Sequence, residues 1–140
     1  MKPNDIEAQP TKPGATVLVV DDNPINLKLV ADLLTFEAYR VLKAVDGEEA
    51  ARKVQEDPPD LILLDVDLPG IDGLTLTKRL KGDPRTADIV IVALTAFAMK
   101  GDRQRAIAAG CDAYVTKPID TRELPVQVAE LLQHRRKTKT

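Results

Sequence analysis

Leu61-Ile62-Leu63-Leu64-Asp65 is a run of apolar residues that stops on a carboxylate. A run of this length without polar alternation suits a strand covered on both faces, as in a parallel sheet. Two other runs have the same character. Val17-Leu18-Val19-Val20 stops on Asp21-Asp22, and Ile89-Val90-Ile91-Val92-Ala93-Leu94 stops on Thr95. Weaker strands are predicted at Arg40–Ala44 and Ala113–Thr116, the second followed by Lys117-Pro118.

The intervening stretches carry helix signals. Asn23-Pro24 places a capping residue before a proline at the first helical position. Asp46-Gly47-Glu48-Glu49 and Asp120-Thr121-Arg122-Glu123 have the spacing of a capping box, with Asp as the cap. Leu27, Val30, Ala31 and Leu34 repeat on one helical face. Strand and helix thus alternate five times. That predicts an α/β fold with a doubly wound, five-stranded parallel sheet and helices on both sides. One local conflict remains at Pro125, five positions after the cap at Asp120, where proline would lose a backbone bond and crowd Thr121. The last helix is therefore expected to start late or to have an irregular first turn.

Composition narrows the function. Of 140 residues, 44% are hydrophobic, enough for a real core, so a wholly disordered chain is excluded. Twenty basic residues face 22 acidic ones, net −2, which gives no sign of nucleic-acid binding by bulk charge. The balance hides an asymmetry: without Arg135, Arg136, Lys137 and Lys139, 16 basic residues face 22 acidic ones, net −6. The lone Cys111 excludes an internal disulfide and a cysteine-based metal cluster, and reads as a small core or loop residue. Residues 1–15, with Pro3, Pro10 and Pro13, read as a flexible polar arm with no signal-peptide core. Residues 134–140, from His134 onward, read as a basic tail at a solvated helix end. No apolar run reaches the roughly 20 residues a membrane span needs, so a cytoplasmic protein is expected.

The polar residues that end the strands are the informative ones. In an open parallel sheet, ligands bind beyond the carboxyl ends of the strands. Asp21, Asp22, Asp65, Thr95 and Lys117 should therefore converge at one edge. Close carboxylates repel one another unless a cation sits among them. Oxygen donors without His or Cys suit Mg2+ rather than zinc. A hard cation beside a lysine and a hydroxyl suits a phosphoryl group. Asp65, fixed by its apolar strand, is the candidate nucleophile that would form an aspartyl phosphate.

Four further stretches extend this pattern: Val17–Pro24, the segment from Leu63 through Asp65, Asp67, Pro69 and Gly70 to Gly73, Ala93-Leu94-Thr95-Ala96, and Tyr114 to Pro118. Together they resemble the receiver domain of two-component response regulators over residues 16–133. The segment from Ala93 to Asp102 further resembles single-domain, DivK-like cell-cycle regulators and the receivers of hybrid kinases. The resemblance implies a flavodoxin-like (βα)5 fold with strand order 2-1-3-4-5. Asp65 would be the phosphoacceptor. Mg2+, or Mn2+, would be bound by Asp22 directly, by Asp21 through water, by Asp65, and by the backbone carbonyl of Asp67. Thr95, Ala96 and Lys117 would bind the phosphoryl group and switch with it, Tyr114 would be the aromatic switch, and Lys117-Pro118 would be a cis peptide. Partners would be a sensor histidine kinase or histidine phosphotransferase and a downstream protein target that reads the fourth helix, fifth strand and fifth helix. The chain would be a signalling switch, not an enzyme, a monomer or weak dimer, with no nucleic-acid or membrane partner.

Asp67 departs from the commonest receiver pattern, in which that position is often neutral. Asp65-Val66-Asp67 also looks like the first motif of haloacid-dehalogenase-type phosphatases. In those enzymes, however, the acidic pair comes late, and no segment here is large enough for a substrate cap. A flavodoxin-type nucleotide binder needs a Gly-, Ser- or Thr-rich loop where Asp21-Asp22-Asn23-Pro24 stands. Met1 and the polar arm favour a stand-alone regulator over a receiver cut from a larger protein.

Overall fold

Continuous apolar runs in this chain become strands because both of their faces are covered. The computed structural model describes residues 14–68, 72–96 and 100–139. Five strands and five helices alternate: β1 (Thr16–Val20), α1 (Pro24–Phe36), β2 (Arg40–Ala44), α2 (Gly47–Glu56), β3 (Leu61–Asp65), α3 (Gly73–Lys81), β4 (Val90–Thr95), α4 (Lys100–Ala109), β5 (Ala113–Thr116) and α5 (Glu123–Lys139). The strands are parallel in the order β2-β1-β3-β4-β5, the doubly wound arrangement expected.

Successive side chains of a strand point to opposite faces, so each run divides between two cores. Val17, Val19, Leu61 and Leu63 pack with Leu27, Val30 and Leu34 of α1 and Leu124, Val128 and Leu132 of α5. Leu18, Val20, Ile62 and Leu64 pack with Ala50 and Val54 of α2 and Leu76 and Leu80 of α3. Every residue of β1, β3 and β4 is buried, whereas the edge strands β2 and β5 are partly open. Burying each large side chain contributes about 1.5–3 kcal/mol.

Helix starts follow local chemistry. Asn23 Oδ1 accepts from the amides of Ile25 and Asn26, with Pro24 at the first helical position. Asp46 accepts from the Glu49 amide at 2.8 Å, while Glu49 reaches back to the Val45 amide at 2.7 Å, one residue before the cap. Asp120 accepts from Arg122 and Glu123, yet α5 begins only at Glu123. This is the late start that Pro125 required: as third helical residue it lacks an amide that would have no intrahelical partner anyway. α5 continues to Lys139, so the basic segment expected from residue 134 onward belongs to the end of that helix. The flexible arm expected over residues 1–15 lies outside the described residues as far as residue 13. Among the described residues no helix is long and apolar enough to cross a membrane.

The end of α1 carries a strained residue. Ala38 sits at φ 74° while the Tyr39 amide reaches back to the Leu34 carbonyl at 3.1 Å. This left-handed closing turn usually uses glycine. A side chain there costs roughly 1 kcal/mol. Ala38→Gly should raise the unfolding free energy by about 0.5–1 kcal/mol and Ala38→Val should lower it. Urea denaturation of the two variants checks both signs.

Candidate functional site

Strand register decides which polar residues meet. Val20 pairs with Leu64, so the next residues, Asp21 and Asp65, leave the sheet side by side. Asp65 pairs with Leu94, and Thr95 with Thr116, which places Thr95 and Lys117 at the same edge. The amide of Asp21 is tied to the Ala44 carbonyl at 3.1 Å, that of Val66 to Leu94 at 3.0 Å, and that of Lys117 to Thr95 at 2.7 Å. Each site residue thus begins from a backbone held by the neighbouring strand.

Carboxylate oxygens of Asp21, Asp22 and Asp65 lie within 4.8 Å of one another. Asp21 and Asp65 are buried, and Asp22 is exposed. One oxygen of each buried carboxylate is used locally: Asp21 Oδ1 accepts from the Asn23 amide and Asp65 Oδ1 from the Asp67 amide, both at 2.9 Å. The other oxygens face the Lys117 ammonium, Asp65 Oδ2 at 3.0 Å and Asp21 Oδ2 at 3.3 Å. Lys117 enters Pro118 through a cis peptide.

Charge and burial pull against each other here. Burial pushes the Asp21 carboxyl above its ordinary value, with the Asp65 charge adding to the push, while the Asn23 amide and Lys117 hold it back. Burial alone would lower the Lys117 ammonium. The hydrogen bond and charge of Asp65, with those of Asp21, outweigh it and raise it instead. Three carboxylates against one ammonium leave two negative charges uncompensated. An oxygen-only donor set with a surplus of two charges fits a hard divalent cation.

The structure brings Asp21, Asp22, Asp65 and Lys117 into one cluster. Thr95 is buried at the end of β4, and Ala96 follows it, exposed. Asp67 is exposed at the side chain, though its amide bonds to Asp65. Tyr114 is half-buried on β5, opposite Ala93. Cys111 is a half-buried thiol, raised mainly by burial, 3.8 Å from Thr77 Oγ1 and away from the cluster. Sequence reasoning assigned nothing to Asp72 and Gly73. Asp72 caps α3 through the Thr75 amide at 2.8 Å. A Cβ on Gly73 would lie 2.7 Å from the Asp65 carbonyl oxygen and 2.8 Å from Val66 Cα, so α3 abuts the Asp65 backbone without room for a side chain. The Asp-Gly pair before a helical stretch was the available signal.

Residues 17–129 match the model of the response regulator receiver domain. The polar-differentiation response regulator DivK of Brucella anthropi is 45% identical over 104 residues, which cover 74% of this chain and 85% of that one. A response regulator from Chloroflexus aurantiacus superposes with a TM-score of 0.82 at 35% identity, covering 85% of this chain and 98% of the other. The receiver domain of a sensor histidine kinase from Pseudomonas aeruginosa, solved with a magnesium ion coordinated in its active-site cleft, superposes with a TM-score of 0.78 at 33% identity, covering 86% and 98%.

Because Asp21 holds its proton to higher pH when folded than when unfolded, its ionised form costs stability above the folded pKa, and that cost vanishes as pH falls through it. Asp21→Asn should therefore stabilise the metal-free protein at pH 7 by about 1 kcal/mol, with the gain shrinking under acid. The same variant should weaken Mg2+ binding by about tenfold or more. Thermal unfolding in chelator at two pH values and a calorimetric Mg2+ titration measure the two effects.

Proposed function

The chain belongs to the response regulator receiver domain family, and from that membership we propose that it is a phosphorelay switch with Asp65 as phosphoacceptor. The observation that carries this reading is the placement of Asp65: buried at the end of β3, inside a carboxylate triad, with the Lys117 ammonium 3.0 Å from Oδ2. A carboxylate held this firmly is a positioned nucleophile.

Phosphoryl transfer breaks the P–N bond of a phosphohistidine and forms a P–O bond to Asp65. Histidine leaves, and a mixed anhydride remains. Mg2+ or Mn2+, held by Asp21 through water, by Asp22, by Asp65 and by the Asp67 backbone carbonyl, would supply positive charge to the phosphoryl oxygens. Lys117 moves its hydrogen bond from the Asp65 carboxylate to a phosphoryl oxygen, and Thr95 turns its hydroxyl to another, with Ala96 beside it. Phosphorylation adds roughly two negative charges. Lys117 and Thr95 gain contacts only in that state, so they shift the population toward it. Tyr114 moves inward as Thr95 moves, and the surface formed by α4, β5 and α5 changes for a downstream protein.

The phosphodonor is a sensor histidine kinase or a histidine phosphotransferase. Ile25, Leu29 and Phe36 are exposed along one side of α1, which starts beside Asp22 at the site. Such a stripe suits packing against a helix of the donor protein. The functional unit is residues 16–133, with residues 1–15 and 134–140 as appendages. It acts in the cytoplasm, as a monomer or weak dimer, either as a stand-alone regulator or as one receiver of a larger protein. It promotes its own phosphorylation and dephosphorylation and turns over no separate substrate.

Incubation with acetyl phosphate and Mg2+ should add one phosphoryl group by intact mass. Asp65→Ala or chelator should abolish the gain, and labelling that survives either would refute the assignment. The exposed Asp67 carboxylate beside the acceptor should affect hydrolysis of the anhydride. Asp67→Asn should change the decay rate of phosphorylated protein by about threefold or more. Mass measured over time after removal of the donor reads this, and an unchanged rate would remove Asp67 from the account.

A further inference from the structure

α3 touches two distant parts of the fold with little slack at either end. Its first residue, Gly73, abuts the Asp65–Val66 backbone so closely that a Cβ would overlap it. Its last residue, Lys81, is clamped at the opposite edge of the sheet. Lys81 Nζ donates to the Ile89 carbonyl at 2.7 Å, to Asp112 Oδ2 at 2.8 Å and to the Ala87 carbonyl at 3.2 Å. Asp112 Oδ2 also accepts from the Ile91 amide at 2.8 Å, and the Asp112 amide donates to the Ile91 carbonyl at 2.8 Å. The Lys81 stem fills the space beside Gly110, where a Cβ would meet Lys81 Cγ at 3.0 Å. Gly110, at φ 108°, closes α4. One ammonium therefore joins the end of α3, the start of β4 and the α4–β5 turn.

This arrangement exceeds what a surface lysine needs for solubility. The side chain is only 20% exposed, and its three acceptors use all three of its protons. Between the two ends, α3 is a nine-residue helix packed on the sheet by Leu76, Thr77 and Leu80. Thr77 Oγ1 is itself bonded to the Gly73 carbonyl at 2.8 Å. A close-packed helix transmits a displacement instead of absorbing it. Hydrogen bonds weaken steeply with angle, so a small shift of Lys81 redistributes its three bonds.

We propose that α3 is a strut and that Lys81 is its far-end positioning residue, coupling the Asp65 loop to the α4–β5 turn. The coupling runs by a route separate from the movement of Thr95 and Tyr114. It rests on the reading of Asp65 as phosphoacceptor. By linkage it is reciprocal: the phosphoryl state of Asp65 changes the strength of the Lys81–Asp112 clamp, and the clamp changes phosphoryl binding at Asp65.

The test compares wild type with Lys81→Met, with and without beryllofluoride and Mg2+ as a stable mimic of the phosphoryl group. Amide hydrogen exchange is read at Ile91 and Asp112. In wild type, beryllofluoride should change exchange at both amides by about threefold or more. In Lys81→Met it should still bind, with affinity altered by about threefold or more, while the change at those amides is lost. Asp112→Asn, which keeps an oxygen for the Ile91 amide but removes the charge, should behave like Lys81→Met and serves if that variant does not fold. A purely structural lysine would lower protection equally in both states and leave the response to beryllofluoride intact. That result, or unchanged clamp amides in wild type with the mimic bound, overturns the proposal. Acetyl phosphate labelling is scored by mass on the same samples, so failure at Asp65 itself would count separately against the functional reading.

Discussion

The ammonium of Lys117, 3.0 Å from Asp65 and 3.3 Å from Asp21, is the contact on which the arrangement depends. It joins the ends of β1, β3 and β5, with β4 lying between the last two in the sheet. Without a cation at that point, two buried carboxylates would face each other in a poorly solvated site. Even with it, Asp21 remains raised by burial, so its ionised form works against folding. Its geometry persists because every participating backbone segment is tied to a neighbouring strand and every residue of β1, β3 and β4 is buried. Stability stored in the sheet holds charges together that would otherwise separate.

That tension also explains why the site suits switching. The cluster has a surplus of negative charge, which a divalent cation would relieve. In the proposed switch a phosphoryl group would add charge again and give Lys117 a new partner. Each change alters the balance among the same few groups, so modest energies can shift which conformation dominates. In the proposed switch the helices would carry the consequence outward. α3 bears directly on the Asp65 backbone through Gly73, and Thr95 leads from β4 toward α4.

Much of this was legible in the residues. The three apolar runs became the three inner strands because burial on both faces leaves no place for polar alternation. Asp21, Asp22, Asp65 and Lys117 stand where strands end, and parallel register brings strand ends together. Pro125 forecast the late start of α5 because its missing amide is tolerated only in the first turn. Other features left weaker traces. Ala38 carries no mark of its left-handed backbone, which is imposed by the helix closing on Leu34. The need for glycine at position 73 comes from a contact eight residues back in the chain, invisible before β3 and α3 are packed. Asp72 was hidden because a capping aspartate and a loop aspartate look alike. Residues 134–139 belong to the end of α5, as the reading of the basic segment as a helix end anticipated.

The central claim is that one side chain, Asp65, receives the phosphoryl group. Reduction with borohydride converts an aspartyl phosphate to homoserine, and tandem mass spectrometry of the digested protein locates that residue. After incubation with acetyl phosphate and Mg2+, the account predicts homoserine at position 65 and at no other position. Homoserine at position 21, 22 or 67, or a phosphoryl group recovered on His134 or on a hydroxyl side chain with position 65 unmodified, would contradict it.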